Sequence, residues 1–218
     1  MRSVPQVLVL AAAAVAAYGQ DPLRTLPKNY QLALENDLVR VIRVHYDAHE
    51  KLPVHDHPKT PIIYVYLSDA GPVRFKHKGD EPYDLQRPAV KKGGFRMHRG
   101  FIETHEVENI GDISSDFLRV ELKTLPIGTP GLSGRFPPPA DFTGSAAKVE
   151  FENANVRIVR VICAGKGECD VTAASNPALE IAFSDSPEKS QVHWVLEDSR
   201  ATAENAMHLL RIEFKKKV

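Results

Sequence analysis

Apolar residues in this chain alternate with polar ones over short stretches of strand length, and long helical stripes are scarce. Leu38 to Tyr46 reads Leu-Val-Arg-Val-Ile-Arg-Val-His-Tyr, dense in β-branched residues and as long as a strand. Pro61 to Leu67 is a second strongly apolar strand, closed by the turn residues Ser68-Asp69-Ala70-Gly71. In it Ile63, Val65 and Leu67 share the face expected to line a barrel interior, which turns Tyr64 and Tyr66 outward. Val73 to His77, Tyr83 to Leu85, Phe95 to His98 and Phe117 to Lys123 follow as shorter strands with turn signals between them. This spacing predicts an all-β sandwich or barrel. Asp21 to Asn29 reads as a surface arm, and the Pro/Gly-rich stretch 124–147 as an irregular connector.

The opening pattern then returns. Glu35-Asn36-Asp37-Leu38-Val39-Arg40-Val41-Ile42-Arg43-Val44 resembles Glu152-Asn153-Ala154-Asn155-Val156-Arg157-Ile158-Val159-Arg160-Val161. Further on, Pro61 falls on Pro177, Leu67-Ser68-Asp69 on Phe183-Ser184-Asp185, and Arg119-Val120-Glu121 on Arg211-Ile212-Glu213. Glu108-Asn109 matches Glu204-Asn205, which sets His208 in the place of Asp112. Matches in one order along the chain predict a duplicated β unit with a shortened second copy. The expected organisation is an N-terminal barrel over 20–123, the connector 124–147 and a degenerate second unit over 148–218.

Composition narrows the partners. The 218 residues carry formal charges that cancel, so nothing argues for nucleic acid or an anionic membrane surface. Arg2, the apolar run Val7 to Ala17 and the small residues around Ala17-Tyr18-Gly19 predict a secretory signal peptide over 1–19. The run is too short for the roughly 20 residues of a membrane span. The mature chain is therefore expected to be exported, periplasmic or secreted, and free of the membrane. Export permits disulfides. The two cysteines, Cys163 and Cys169, flank a glycine-containing turn, where they form either one disulfide or two free thiols.

The chemistry-bearing stretch is Val54-His55-Asp56-His57-Pro58. Residues two apart on a strand point to one side, so His55 and His57 face the same way. His105 on a neighbouring strand completes a set that can hold a transition metal through neutral imidazoles. Zinc, iron, manganese, nickel and cobalt all suit such ligands, and soft ligands for copper(I) are missing. Three neutral ligands leave the ion's charge uncompensated, which favours a small anionic ligand or a bound hydroxide. The repeat offers an internal control: His55 falls on Val171, His57 on Ala173 and His105 on Ala201, a joint loss that a shared ligand role explains. The alternative is a set of hydrogen-bonded core histidines in a barrel that binds no metal. His45, His49, His77, His193 and His208 read as ordinary polar positions.

His55-Asp56-His57 and His105-Glu106-Val107-Glu108-Asn109 resemble the two signature motifs of the cupin superfamily, over roughly residues 32–123. The resemblance implies a duplicated jelly-roll barrel with one mononuclear metal site. It also implies oxygenase, isomerase or lyase chemistry on a small molecule, or a non-catalytic barrel that binds a ligand or metal. Pairing of two copies into a homodimer is implied as well. Departures are specific. The family's glutamate ligand falls at Pro61, its closing glycine near Ser68, and two extra residues precede His105. Glu103 in this longer loop is the candidate proton-transfer residue or fourth ligand. Glu106 points away by alternation, and His98 turns outward if Phe95 and Met97 face inward.

Overall fold

The computed structural model describes residues 21–215 apart from 80, 102, 140–144, 164–166, 169–172, 200–201 and 204–206. The expected signal peptide lies outside the described residues, as do Cys169, Val171 and Ala201. Cys163 is disulfide-bonded. No helix among the described residues is long and apolar enough to cross a membrane.

The first half supplies β1 (Tyr30–Glu35), β2 (Val39–Tyr46), β3 (Lys51–His57), β4 (Ile62–Tyr66), β5 (Val73–His77), β6 (Tyr83–Arg87), β7 (Phe95–His98), β8 (Glu103–Asn109), β9 (Ser115–Leu122) and β10 (Gly134–Phe136). They form a six-stranded sheet, β1-β2-β9-β4-β7-β10, facing a four-stranded sheet, β3-β8-β5-β6. The second half supplies β11 (Ala146–Glu152), β12 (Val156–Cys163), β13 (Gly167–Glu168), β14 (Ala178–Phe183), β15 (Gln191–Val195), β16 (Thr202–Ala203) and β17 (Met207–Phe214). There the described residues form a five-stranded sheet, β11-β12-β17-β14-β15, and a separate two-residue pair, β13–β16.

The duplication is visible in the strand registers. β1 slips against β2 between Leu32 and Leu34, and β11 slips against β12 between Val149 and Phe151, the same place in each copy. Both hairpins turn on an asparagine. Asn36 Oδ1 accepts from the backbone N–H of Leu38 and Val39, and Asn153 Oδ1 from those of Asn155 and Val156. Such side-chain-to-backbone bonds fix a turn locally, which accounts for the repeated Glu-Asn. One match shifts. His208 lies opposite Ile162 just as Asp116 lies opposite His45, so it takes the place of Asp116 and not of Asp112.

Two cores divide the apolar residues. Tyr30, Ile42, Val44, Tyr46, Ile62, Tyr64, Phe75, Val107 and Phe117 fill the space between the two sheets of the first unit. Val39, Val41, Ile63, Val65, Leu67, Phe95 and Met97 instead pack on Ile158, Leu179, Ile181, Leu210 and Ile212 of the second unit. Ile63, Val65 and Leu67 thus face the second unit, and Tyr64 faces the barrel interior, the reverse of the expected assignment. The reason is that β4 is buried on both faces, so polarity alternation no longer reports which side is inside. The same reversal turns Arg96 and His98 inward, since Phe95 and Met97 point to the second unit.

Two segments read as irregular are more ordered. Pro22–Thr25 forms a short helix, with Asp21 accepting from the Leu23 N–H, and Leu23 and Leu26 pack on the barrel core. The stretch 124–147 contributes β10, which pairs with β7, and buries Leu132.

Candidate metal centre

β3 and β8 pair antiparallel with His55 directly opposite His105 and His57 opposite Glu103. The β8 burial pattern alternates, so Glu103, His105, Val107 and Asn109 point into the barrel and Glu106 points out. His55, His57 and His105 are all buried, and a ligand nitrogen of each lies within 4.8 Å of those of the other two. No other such trio of His, Cys, Asp or Glu gathers among the described residues.

The hydrogen bonds around the rings fit a metal. His55 Nδ1–H donates to the Pro53 carbonyl at 2.9 Å, which leaves Nε2 with its lone pair facing the interior. His57 Nδ1 and His105 Nδ1 are buried without a hydrogen-bond partner. Orphaned buried nitrogens are costly unless something occupies them, and an ion is one such occupant. Burial, before any neighbouring charge, pushes all three imidazoles towards the neutral form that binds metals, His105 down to about 2. Asn109 holds the end of β8. Its Nδ2 donates to the Asp47 and Ile113 carbonyls at 2.9 Å, which explains the asparagine four residues after His105.

A buried ion ladder runs from the surface to this centre. Arg40 Nε meets Glu121 at 2.7 Å, Arg119 Nε meets the other Glu121 oxygen at 2.9 Å, and Arg119 Nη1 meets Glu103 Oε2 at 3.0 Å. Tyr64 Oη accepts from Arg119 Nη1 at 2.9 Å. Burial alone would raise the Glu103 pKa, but Arg119 and its other neighbours outweigh that and hold it at about 2. Glu103 is therefore an ionised carboxylate with one oxygen, Oε1, free of partners. It is not a loop residue, as expected, but the first residue of β8. It also stands outside the mutual 4.8 Å reach of the three histidines.

Three residues near the centre escaped the sequence. Tyr30 Oη lies 3.0 Å from His55 Nε2 and 2.8 Å from Tyr46 Oη. His77, read as an ordinary polar position, is buried, lies opposite His105 in the β5–β8 register and stacks on Tyr83 at 4.2 Å. Arg119 is reached only through the sheet ladder. Each becomes a neighbour by cross-strand register, which spacing along the chain does not reveal. His98, turned inward, accepts from the Gly100 N–H through Nδ1 at 3.1 Å, and its ring meets Phe101. Gly100 has φ 82° and no room for a Cβ against the Thr60 carbonyl, so only glycine fits there. His49 and His193 are surface residues paired with Asp112 and Gln191.

No protein-family model and no curated protein matches this chain. Solved structures do. The protein YhaK from Escherichia coli aligns over 92% of this chain and 100% of its own, at 10% identity and a TM-score of 0.52. A salicylate 1,2-dioxygenase from Pseudaminobacter salicylatoxidans aligns over 86% of this chain and 78% of its own, at 13% identity and a TM-score of 0.51. A cupin domain from Bordetella pertussis Tohama I covers 44% of this chain and 92% of its own length, at 18% identity and a TM-score of 0.37. The fold is a cupin-type jelly roll, and at these identities the likeness speaks of fold alone.

Proposed function

We propose that this protein is an exported, metal-dependent cupin that acts on a small anionic molecule in its first unit, the second unit serving as a structural copy. The observation that carries the reading is the convergence of three buried neutral imidazoles, two with orphaned nitrogens, beside a fixed carboxylate. His55, His57 and His105 would hold one divalent transition ion: zinc, iron, manganese, nickel or cobalt. When bound, that ion supplies Lewis-acid or oxygen-activating chemistry of the oxygenase, isomerase or lyase kind.

The protein's own part is positional. Arg119 keeps Glu103 ionised with Oε1 free, so near neutral pH Glu103 cannot donate a proton. With a pKa of about 2 it is a weak proton acceptor, and its main part is a fixed negative charge beside the centre. The Tyr30 hydroxyl, itself paired with Tyr46, meets the same His55 Nε2 that would ligate and must give up that lone pair to an ion. Burial of both phenols keeps them protonated. One observation favours a second reading, a non-catalytic ligand- or metal-binding barrel. Pro61 occupies the family's carboxylate position, and Glu103 lies on another strand.

Metal analysis of the purified protein beside a His55→Ala/His57→Ala variant tests the site. We expect about one equivalent of a single divalent metal per chain, and none in the variant, because two of three ligands are gone. Equal metal in both forms, or no metal in the unaltered protein after reconstitution, would remove the metal reading.

A further inference from the structure

A cleft of about 220 Å³ opens between the end of β6 and the β7–β10 pair. Arg87, Lys91, Arg96 and Arg135 line it, and no acidic residue does. Lys91 is neutralised by Asp69 at 2.6 Å. Arg87, Arg96 and Arg135 have no carboxylate partner among the described residues.

What holds the two inner arginines is aromatic instead. The Arg96 guanidinium lies 4.2 Å over the Tyr64 ring, and that of Arg87 lies 4.2 Å over Phe75 and 5.6 Å over Tyr64. Ring faces offset part of the cost of desolvating a cation but do not neutralise it. The two charges repel each other across the shared tyrosine; burial and then Arg96 lower the Arg87 pKa, and Tyr64 and the more distant Glu103 offset only part of that. Arg96 Nε and Nη2 are buried without any hydrogen-bond partner. Those two nitrogens form one edge of the guanidinium, the edge a carboxylate takes in a bidentate pair, and a ligand in the cleft meets it once the Arg96 side chain turns that edge outward. The nearest anion, the Glu103 carboxylate, is paired with Arg119 and acts on Arg87 only at a distance, so no anion among the described residues touches this pair.

The rest of the cleft is apolar. Phe136 lines it with its ring stacked on Phe95 at 4.5 Å and 6°. A volume of about 220 Å³ falls below the roughly 300–1,000 Å³ of pockets for drug-sized ligands, which limits the ligand to about one ring. We propose that this cleft binds a small apolar carboxylate, its charge on Arg96 and Arg87 and its hydrocarbon part against the Phe95–Phe136 stack. Arg87 also lines the small cavity that contains His57 and His105. The site therefore adjoins the metal centre without using its ligands, and stands whether or not that centre holds an ion.

Benzoate is the probe. Its binding is measured by titration calorimetry on the full chain, metal-free and zinc-loaded, and on Arg87→Gln, Arg96→Gln and His55→Ala/His57→Ala variants. We expect benzoate to bind both forms and the double-histidine variant alike. Either arginine substitution should weaken it about tenfold or more, the share of a charge-assisted hydrogen bond. Benzyl alcohol, with the ring but no charge, should bind at least about tenfold more weakly. If Arg96→Gln loses its near-ultraviolet circular dichroism, Arg87→Gln decides. No benzoate binding, or unchanged affinity in the arginine variants, overturns the site. Binding that needs His55 and His57 also overturns it, by placing the anion on the metal, and leaves the proposed function intact.

Discussion

In the first unit Arg119 on β9 stands opposite Tyr64 on β4; in the second, Arg211 on β17 stands opposite Glu180 on β14, at the same rung. Both arginines are buried, yet they meet different needs. Arg211 is answered within its own sheet by Glu180 at 2.7 Å. Arg119 faces the Tyr64 hydroxyl and reaches across the barrel to Glu103 on the opposite sheet. The second unit reduces that opposite sheet to β13–β16 among the described residues, and the three histidines belong to it in the first. Shared register therefore preserves the frame, while the chemistry sits on the layer that only the first unit builds in full.

Breaking this comparison is most direct at the two arginines. Arg119→Met leaves Glu103 buried and unpaired, and Glu121 with Arg40 alone, which should cost about 3–5 kcal/mol. Arg211→Met strips Glu180, whose side chain is 13% exposed and can take up water, so about 1.5–3 kcal/mol is expected. Urea unfolding of both variants provides the measurement. Equal losses would mean that the cross-barrel pair adds nothing to the frame.

The next contrast is one of sign with pH. His45 lies opposite Asp116, and its equivalent rung in the second unit pairs Ile162 with His208. Burial works against a charged His45, but hydrogen bonds with Asp116 and Asp47 outweigh it and raise the pKa. Its stabilising share is complete below the unfolded value near 6.5 and is lost as pH rises through the raised one. For His208, burial first and then Arg160 and Lys92 lower the pKa to about 3. Its share is complete above about 6.5 and is lost as pH falls towards 3, at up to about 1.4 kcal/mol per pH unit. Melting temperatures from pH 4 to 9 should show His208→Gln flattening the acid side and His45→Gln the alkaline side. An acid slope unchanged in His208→Gln would sink this assignment.

Legibility in the sequence follows the same division. The His55–His57 pair and the repeated Glu-Asn were readable because each depends on residues a few positions apart, although the turn that the asparagine makes was not. The joint loss of the histidines in the repeat rests on the sequence alignment of the two halves alone, since Val171 and Ala201 lie outside the described residues. Tyr30, His77 and Arg119 were not readable, because they meet the centre through strand pairing between distant segments. The facing of Ile63 and Val65 was misread for a different reason. A strand covered on one side by its own barrel and on the other by a second unit is apolar throughout, so the period-two signal vanishes. The inward turn of His98 followed from that one inversion.

The shared core gives the mildest test and bears on whether the two halves are separable. Ile63 of the first unit and Ile181 of the second lie fully buried in one cluster, while Ile42 lies inside the first barrel alone. Ile→Val at each position should cost about 0.5–1.5 kcal/mol, the loss of one buried methylene. The location of the loss carries the argument. If the cluster joins the units, Ile63→Val and Ile181→Val lower one common unfolding transition, whichever half carries the change. Were the halves independent, Ile181→Val would shift a second transition and leave untouched the one that Ile42→Val shifts. Tryptophan fluorescence of Trp194, which packs on Phe214 in the second unit at 5.4 Å, separates the cases when followed beside far-ultraviolet circular dichroism. Coincident curves for all three variants place the second unit's role in covering β4, which needs no histidine and explains why that copy can lose its site and keep its sheet.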